Sequence, residues 1–178
     1  MIHHEPQLLS AQVRDVACGT GVRIVEPCNV YECSLGDDCF VGPFVEIQKG
    51  VTIGARTKVQ SHAFICELVH IGTDCFVGHG AKFTNDVFAT GGPARGRKEL
   101  WRATKIGNRV SIGSNATLLP VSICDDVVIG AGAVVTHDIT EPGIYAGNPA
   151  RLLRRQPWTR RPSCQTEPAE PRRATRDR

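Results

Sequence analysis

The sequence of 178 residues has room for one domain with a tail, and its 18 Gly with 6% aromatic residues make a helical core improbable. This composition favours a β structure built from many short strands. The formal charge of +3 is uneven, because residues 151–178 carry nine Arg against three acidic residues, a net +6. The first 150 residues therefore carry a net −3, and the total charge alone identifies no class of partner.

No window approaches the 18 apolar residues of a membrane span, and the first ten residues lack the apolar core of a signal peptide. We therefore expect a cytoplasmic protein with neither a membrane nor a nucleic acid as partner. The eight Cys show no C-x-x-C spacing. They are interpreted as reduced thiols that serve as small apolar residues, with a disulfide framework or a zinc site as the alternatives.

A hydrophobic period of six residues begins near the N-terminus. Ile24 and Val30 are six apart, and the step to the next apolar position is five. An unbroken series then follows at Leu35, Val41, Ile47, Ile53, Val59, Ile65, Ile71, Val77 and Phe83. Gly often comes directly after these positions, and a small or β-branched residue comes four later. A helix needs a period near 3.6, so this pattern predicts short strands joined by turns in a parallel β-helix.

The period stops at Asn85 and Asp86 and is followed by an insertion of about residues 87–105. It resumes at Ile106, Ile112, Leu118, Ile123, Ile129 and Val135, with one step of five between Leu118 and Ile123. Such short steps predict tightened corners. The predicted domain is residues 1–155, and residues 156–178 are rich in Pro and Arg without periodicity, which predicts a disordered tail.

Residues 16–155 resemble the hexapeptide-repeat acyltransferases, through the [LIV]-G-x-x-[small]-x repeat, the run IGAGAVVT and the ending AGNPAR. The resemblance implies a left-handed parallel β-helix with three hexapeptides per coil, one extended loop and a short C-terminal helix or tail. It also implies a homotrimer with active sites between subunits. The handedness comes from the resemblance alone, since parallel crossovers are usually right-handed.

The segments FVGPFVEIQKGVTIG, SHAFIC and GHGAKFTND are most similar to bacterial N-acetyltransferases of nucleotide-linked 3-amino sugars. The implied reaction transfers acetyl from acetyl-CoA to the 3-amino group of a UDP- or dTDP-linked sugar, on the way to surface polysaccharide or glycosylated natural products. The amine attacks the thioester directly. The implied partners are therefore acetyl-CoA and the nucleotide sugar, without a metal or redox cofactor.

With 18 residues per coil, residues 18 apart stack on neighbouring coils roughly 4.8 Å apart. Lys49, Glu67 and Asn85 then form one polar ladder. The resemblance implies that the Asn85–Asp86 pair orients the sugar at its amine, with Glu67 and Lys49 beside the substrate. A solvated corner and a turn that starts the loop are the alternatives for these residues.

Ser61 and His79 are also 18 apart and form a neighbouring ladder. His79 is a candidate general base, and His62 is a candidate substrate contact. The resembled subgroup is thought to let the departing CoA sulfur take the proton, so both mechanisms stay open. Five cations of the loop, Arg95, Arg97, Lys98, Arg102 and Lys105, either meet a diphosphate or are simply solvated.

The acyl carrier is expected along small residues at the outer corners of the later coils, where Ser114 and Ala131 are the matching positions. Asn148, Arg151 and Arg154 in and after AGNPAR are expected near the CoA phosphates. A turn with a helix cap is the structural alternative for this ending.

Two other functions use the same fold. One is an O-acetyltransferase, or another small-molecule acyltransferase, with His79 as base. The other is a carbonic anhydrase-like protein or a non-enzymatic β-helix. The zinc-binding relatives need three His ligands, and His62, His70 and His79 do not have a convincing spacing for that site.

Overall fold

A computed structural model describes residues 12–155, and within this range all regular structure is β except one 3-10 turn, Lys98–Leu100. The predicted tail, residues 156–178, lies outside the described residues. The strands in chain order are β1 (Val13–Arg14), β2 (Ala17–Cys18), β3 (Arg23–Ile24), β4 (Asn29–Tyr31), β5 (Ser34–Leu35), β6 (Phe40–Val41), β7 (Glu46–Ile47), β8 (Thr52–Ile53), β9 (Lys58–Val59), β10 (Phe64–Ile65), β11 (Val69–Ile71), β12 (Phe76–Val77), β13 (Lys82–Phe83), β14 (Thr104–Ile106), β15 (Ser111–Ile112), β16 (Thr117–Leu118), β17 (Ser122–Ile123), β18 (Val127–Ile129), β19 (Val134–Val135), β20 (Gly143–Ala146) and β21 (Arg151–Arg154).

Successive strands move from one sheet to the next around a three-sided coil, which confirms the predicted parallel β-helix. Sheet A has the order β1-β4-β7-β10-β13-β16-β19, and sheet B has the order β17-β14-β11-β8-β5-β2. Sheet C has the order β21-β20-β18-β15-β12-β9-β6-β3. The strand pairs are parallel except β20 with β21. Residues on one face of a sheet therefore form columns that run along the coil axis.

The pairing registers show how the repeat length varies along the chain. Val30 pairs with Ile47, a coil of 17 residues, and Ile47 pairs with Ile65, a coil of 18. The loop of residues 85–103 is inserted between β13 and β14. It leaves the stacking of the coils unchanged, so Ile71 pairs with Ile106 on the far side of the insertion. The five-residue step predicted to tighten a corner lies in a 17-residue coil, where Leu118 pairs with Val135.

The core is the column of apolar side chains that point into the coil from each sheet. The central members are at most 5% exposed: Val30, Leu35, Val41, Ile47, Ile53, Val59, Ile65, Ile71, Val77, Phe83, Ile106, Ile112, Leu118, Ile123, Ile129 and Val135. All of these are positions of the six-residue period. Their removal from water is the main favourable contribution to folding.

Some inner corner positions carry small hydrogen-bond donors. At the corner between sheets B and C, the Cys39 Sγ and Cys75 Sγ atoms donate to carbonyl oxygens of the next coil at 3.2 Å, and Thr57 Oγ1 donates likewise at 2.9 Å. Burial raises the pKa of both thiols. The seven Cys of the described range are free thiols, and five of them are buried as the expectation of small core residues requires: Cys28, Cys33, Cys39, Cys66 and Cys75. Cys18 is exposed and Cys124 is only partly buried.

Charged residues alternate in sign along the outside of the same corner. Asp38, Arg56, Asp74, Arg109 and Asp126 each have a positive φ between 56° and 61°. Arg56 donates two hydrogen bonds to Asp74 at 2.6 and 2.7 Å, and Arg109 does the same to Asp126 at 2.7 and 2.8 Å. These bonds hold the pKa of both carboxyls below the ordinary value.

The C-terminal end differs from the expected short helix or tail. Residues 151–154 form strand β21, which returns antiparallel along β20 and so extends sheet C. A hairpin satisfies the backbone of β20 on its outer side, which a helix at this position would not do.

The alternating charges at the corner between sheets B and C form a charge ladder, which predicts a melting temperature that depends on pH in the acidic range. Carboxyls with a lowered pKa stabilise the fold above their ordinary pKa near about 4, and this contribution is lost as the pH falls through their lowered values. We expect the melting temperature to fall from about pH 5 to about pH 3. Arg109→Met should flatten that part of the curve, because Asp126 then loses its cation. Parallel curves for both proteins would show that the ladder makes no such contribution.

Candidate active site

One corner column contains the candidate base and two candidate cofactor positions. This column, between sheets C and A, is called the His79 column. Its members each follow an inward residue of sheet C by two positions: Pro43, Ser61, His79, Ser114 and Ala131. The Asn115 N–H donates to the His79 carbonyl at 2.8 Å, and the Gly132 N–H donates to the Ser114 carbonyl at 2.8 Å. His79, Ser114 and Ala131 therefore lie on three successive coils of one surface.

The His79 imidazole is oriented by the coil before it. Its Nδ1 atom lies 2.8 Å from Ser61 Oγ, as expected from their spacing of 18 residues. Because Nδ1 is used in this contact, Nε2 is the ring nitrogen that a ligand would meet. The arrangement is suitable for a general base or for a hydrogen bond to a bound acyl group.

His62 lies beside this column and stacks on an aromatic ring of the preceding coil. The ring centroids of His62 and Phe44 are 4.9 Å apart with an interplanar angle of 14°. Phe44 was not identified from the sequence. Its position 18 residues before His62 is the signal that predicts the contact, once the coil length is known.

A second column lies at the corner between sheets A and B and consists of Glu32, Lys49, Glu67 and Asn85. It is called the Asn85 column. Asn85 Nδ2 donates to the Glu67 carbonyl at 3.2 Å, so these two residues stack as expected. Lys49 Nζ bonds to Glu32 of the preceding coil and not to Glu67.

Asn85 and Asp86 hold both ends of the loop. Asp86 Oδ1 accepts from the Phe88 N–H at 2.9 Å, and Oδ2 accepts from the Ala94 N–H at 2.7 Å. The Asn85 carbonyl accepts from the Arg102 N–H at 2.9 Å. The turn that starts the loop thus accounts for the main contacts of Asp86, while the side chain of Asn85 contacts the Glu67 carbonyl on the neighbouring coil.

Glu67 bonds to Lys98, one of the five loop cations, and the sequence did not predict this contact. Lys98 Nζ lies 2.9 Å from Glu67 Oε1 and 2.6 Å from Oε2. Its ammonium also lies 5.2 Å from the centroid of the Trp101 ring. The two residues are 31 positions apart across an insertion, so no periodicity predicts their contact.

Three of the other four loop cations lie in different surroundings. Arg97 bonds to the Ala94 carbonyl and to Thr90 within the loop, both at 3.4 Å. Lys105 belongs to strand β14, and Arg95 is among the exposed residues. Of the five cations, Lys98 therefore has the most direct connection to the candidate site.

The two columns lie on different corners of one protomer. His79 and Asn85 belong to the same coil, with strand β13 of sheet A between them. Within one chain the two side chains therefore belong to two separate corner columns at the two ends of β13.

The residues after Ala131 that are expected to bind CoA lie next to the last member of the His79 column. The Val134 N–H donates to the Gly147 carbonyl at 2.9 Å, and the Ala150 N–H donates to the Val134 carbonyl at 2.8 Å. These bonds put the turn that contains Asn148 beside Ala131. Arg151 and Arg154 follow in strand β21, where both side chains are exposed. The structure thus brings the expected cofactor residues to one end of the β-helix.

No group of three or more His, Cys, Asp or Glu within residues 12–155 has an arrangement that could hold a metal ion. Among the same residues, no helix is long and apolar enough to cross a membrane.

Family comparisons identify the repeat. Residues 32–67 match the bacterial transferase hexapeptide (six repeats), and residues 103–137 match the hexapeptide repeat of succinyl-transferase. The bifunctional protein GlmU of Synechococcus sp. (strain CC9605) is 29% identical over 151 residues, which are 84% of this chain and 31% of that protein. GlmU of Clostridium kluyveri is 32% identical over 128 residues, 71% of this chain and 25% of that protein. The chain thus spans less than a third of the length of these relatives.

Solved structures share the coil architecture. A mutant of perosamine N-acetyltransferase from Caulobacter crescentus, in complex with CoA and GDP-perosamine, is 21% identical with a TM-score of 0.54, over 80% of this chain and 57% of that one. A galactoside acetyltransferase in complex with coenzyme A is 25% identical with a TM-score of 0.56, over 79% and 65% of the two chains. The repeat matches and this common architecture agree with the resemblance seen in the sequence. The chain carries the hexapeptide repeats of the bacterial hexapeptide transferases and folds as a left-handed parallel β-helix.

Proposed function

We propose that the protein is an acetyl-CoA-dependent N-acetyltransferase of a nucleotide-linked amino sugar. The observation that supports this most is the His79 column, whose small residues Ser114 and Ala131 continue into the Asn148 turn. Small side chains at these positions leave the corner open for a long ligand such as a pantetheine arm to lie along the coils. The complexes of the perosamine N-acetyltransferase and the galactoside acetyltransferase with CoA support acetyl-CoA as the donor.

The acceptor is a UDP- or dTDP-linked 3-amino sugar in this proposal. The incoming ammonium first releases one proton to solvent, and the neutral amine then attacks the thioester carbonyl as the C–S bond breaks. The departing sulfur takes the second proton that nitrogen loses, and an acetamide and CoA are formed. Glu67 holds the incoming ammonium, and Asn85 orients the sugar at the reacting nitrogen. Because the perosamine enzyme was solved with a GDP-linked sugar, GDP-linked amino sugars belong in the set of acceptors to be tested.

An O-acetyltransferase is the second candidate, and the contact between His79 Nδ1 and Ser61 favours it. A hydroxyl must lose its proton during attack, so it depends on a base more than an amine does. The galactoside acetyltransferase neighbour is consistent with a sugar hydroxyl as the acceptor.

Two variants separate these functions in a thiol-release assay with UDP-, dTDP- and GDP-linked amino sugars. For the N-acetyltransferase we expect Asn85→Ala to lower kcat/KM by about a hundredfold, because the acceptor loses its orientation. His79→Ala should then cost less than about tenfold, whereas loss of a general base costs roughly 10² to 10⁴. Absence of turnover with every amino sugar, together with acetylation of a plain sugar, would contradict the first function.

Binding of acetyl-CoA along the His79 column is tested by placing a bulky side chain there. Ala131→Trp should raise the KM for acetyl-CoA by about tenfold or more and leave the KM for the acceptor unchanged, because only donor binding is obstructed. Ala55→Trp is the matched control, since Ala55 follows an inward residue by two positions at another corner. Equal effects of the two variants on the donor KM would indicate general damage to the coil.

The active form is a homotrimer in this proposal, because the His79 column of one protomer needs the Asn85 column of a neighbour. Co-expression of Asn85→Ala with Ala131→Trp should restore activity that neither variant has alone. Random assembly of equal amounts leaves roughly a quarter of the sites with both native corners. A mixture with no more activity than the average of its components would show that each site lies within one chain.

A further inference from the structure

The two side chains of the ion pair between Glu67 and Lys98 differ in their exposure to solvent. The side chain of Lys98 is 57% exposed and that of Glu67 is 19% exposed. Lys98 reaches the carboxylate from the loop on a flexible four-carbon stem. The ammonium can therefore leave into water at small cost, while the carboxylate stays partly buried.

The backbone of Glu67 is held from both neighbouring coils. Its N–H donates to Gln48 Oε1 at 3.3 Å, and Gln48 Nε2 donates to Glu46 Oε1 at 2.8 Å. Its carbonyl accepts from Asn85 Nδ2 at 3.2 Å. Glu67 is thus a carboxylate at a defined position, next to the residue that orients the acceptor in the proposed function.

The loop does not need the Lys98 ammonium in order to be anchored. Its two ends are bonded to Asn85 and Asp86, and Ala94 is buried within it at 1% exposure. Lys98 itself begins the 3-10 turn Lys98–Leu100. Removal of this one charge therefore leaves these anchoring hydrogen bonds intact, and it also removes the contact of the ammonium with the Trp101 ring.

We infer that Lys98 is an internal competitor for the amine site of Glu67, a role that rests on the proposed function. The Lys98 ammonium makes the two hydrogen bonds that the protonated amine of the acceptor would make to the same oxygens. Binding of the acceptor exchanges one ammonium for another, and Lys98 moves away with its charge solvated. Only an acceptor with a cationic amine can make this exchange, so Lys98 selects against neutral sugars at Glu67.

Kinetics of Lys98→Met test the competition. Because the acceptor must displace an ion pair of this exposure, its apparent affinity is lowered about three- to fivefold. Lys98→Met should therefore lower the KM for the amino sugar about three- to fivefold with kcat changed less than about twofold, and Lys98→Arg should keep the native KM. Arg56→Met is the control, because it removes an ion pair at another corner whose cation is as exposed as Lys98, at 56%, while its carboxylate is 40% exposed. An unchanged or raised KM in Lys98→Met, with turnover by the native protein, overturns the inference while the proposed function stands.

Chemical labelling of Lys98 tests the exchange without turnover. Native protein is treated briefly with an excess of an amine-acylating reagent, in the absence of acetyl-CoA, and the modified peptides are quantified by mass spectrometry. Saturating dTDP-linked 3-amino sugar should raise the labelling of Lys98 at least about twofold relative to Lys58, and the 3-hydroxy analogue should not. An amine-dependent rise without any acetylation would reject the proposed function and keep the exchange. Equal labelling with both sugars would reject the exchange.

Discussion

Backbone hydrogen bonds between successive coils are the constraint on which the rest of this structure depends. They hold each inward residue directly over its counterpart 17 or 18 positions away, as with Val30, Ile47 and Ile65. A shift of one residue would turn the whole apolar column toward water, so the register is strongly determined. The coils also leave little room at the corners, where a Cβ on Gly113 would lie 2.4 Å from the Ala131 nitrogen.

This register converts a linear repeat into surface columns with separate properties. The corner between sheets B and C carries alternating charges, and the His79 column carries small residues and one oriented imidazole. The Asn85 column carries carboxylate, ammonium and amide groups beside the loop. Because each column belongs to a different corner, a reaction that needs two of them requires a second copy of the chain in the proposed function.

The loop links structure and proposed chemistry through the same few residues. Asp86 holds the loop through both carboxylate oxygens, and Asn85 contacts Glu67, whose carboxylate is bonded to Lys98 of the loop. In the proposed function the same two residues therefore both start the loop and contribute to the acceptor site. The loop supplies the Lys98 ammonium that occupies the Glu67 carboxylate, so the availability of Glu67 depends on the loop.

The sequence by itself determined the fold, the core and the ladder of Ser61 with His79, because all three follow from a period that the coil preserves. It did not predict the partner of Lys49, since a charged residue in a column can pair with the coil before it or the coil after it, and the structure pairs Lys49 with Glu32. Only the tertiary structure decided that Lys98 meets Glu67 and that residues 151–154 return as a strand. Both contacts arise where the chain departs from the repeat, so their geometry depends on how the departing segment folds back onto the coils.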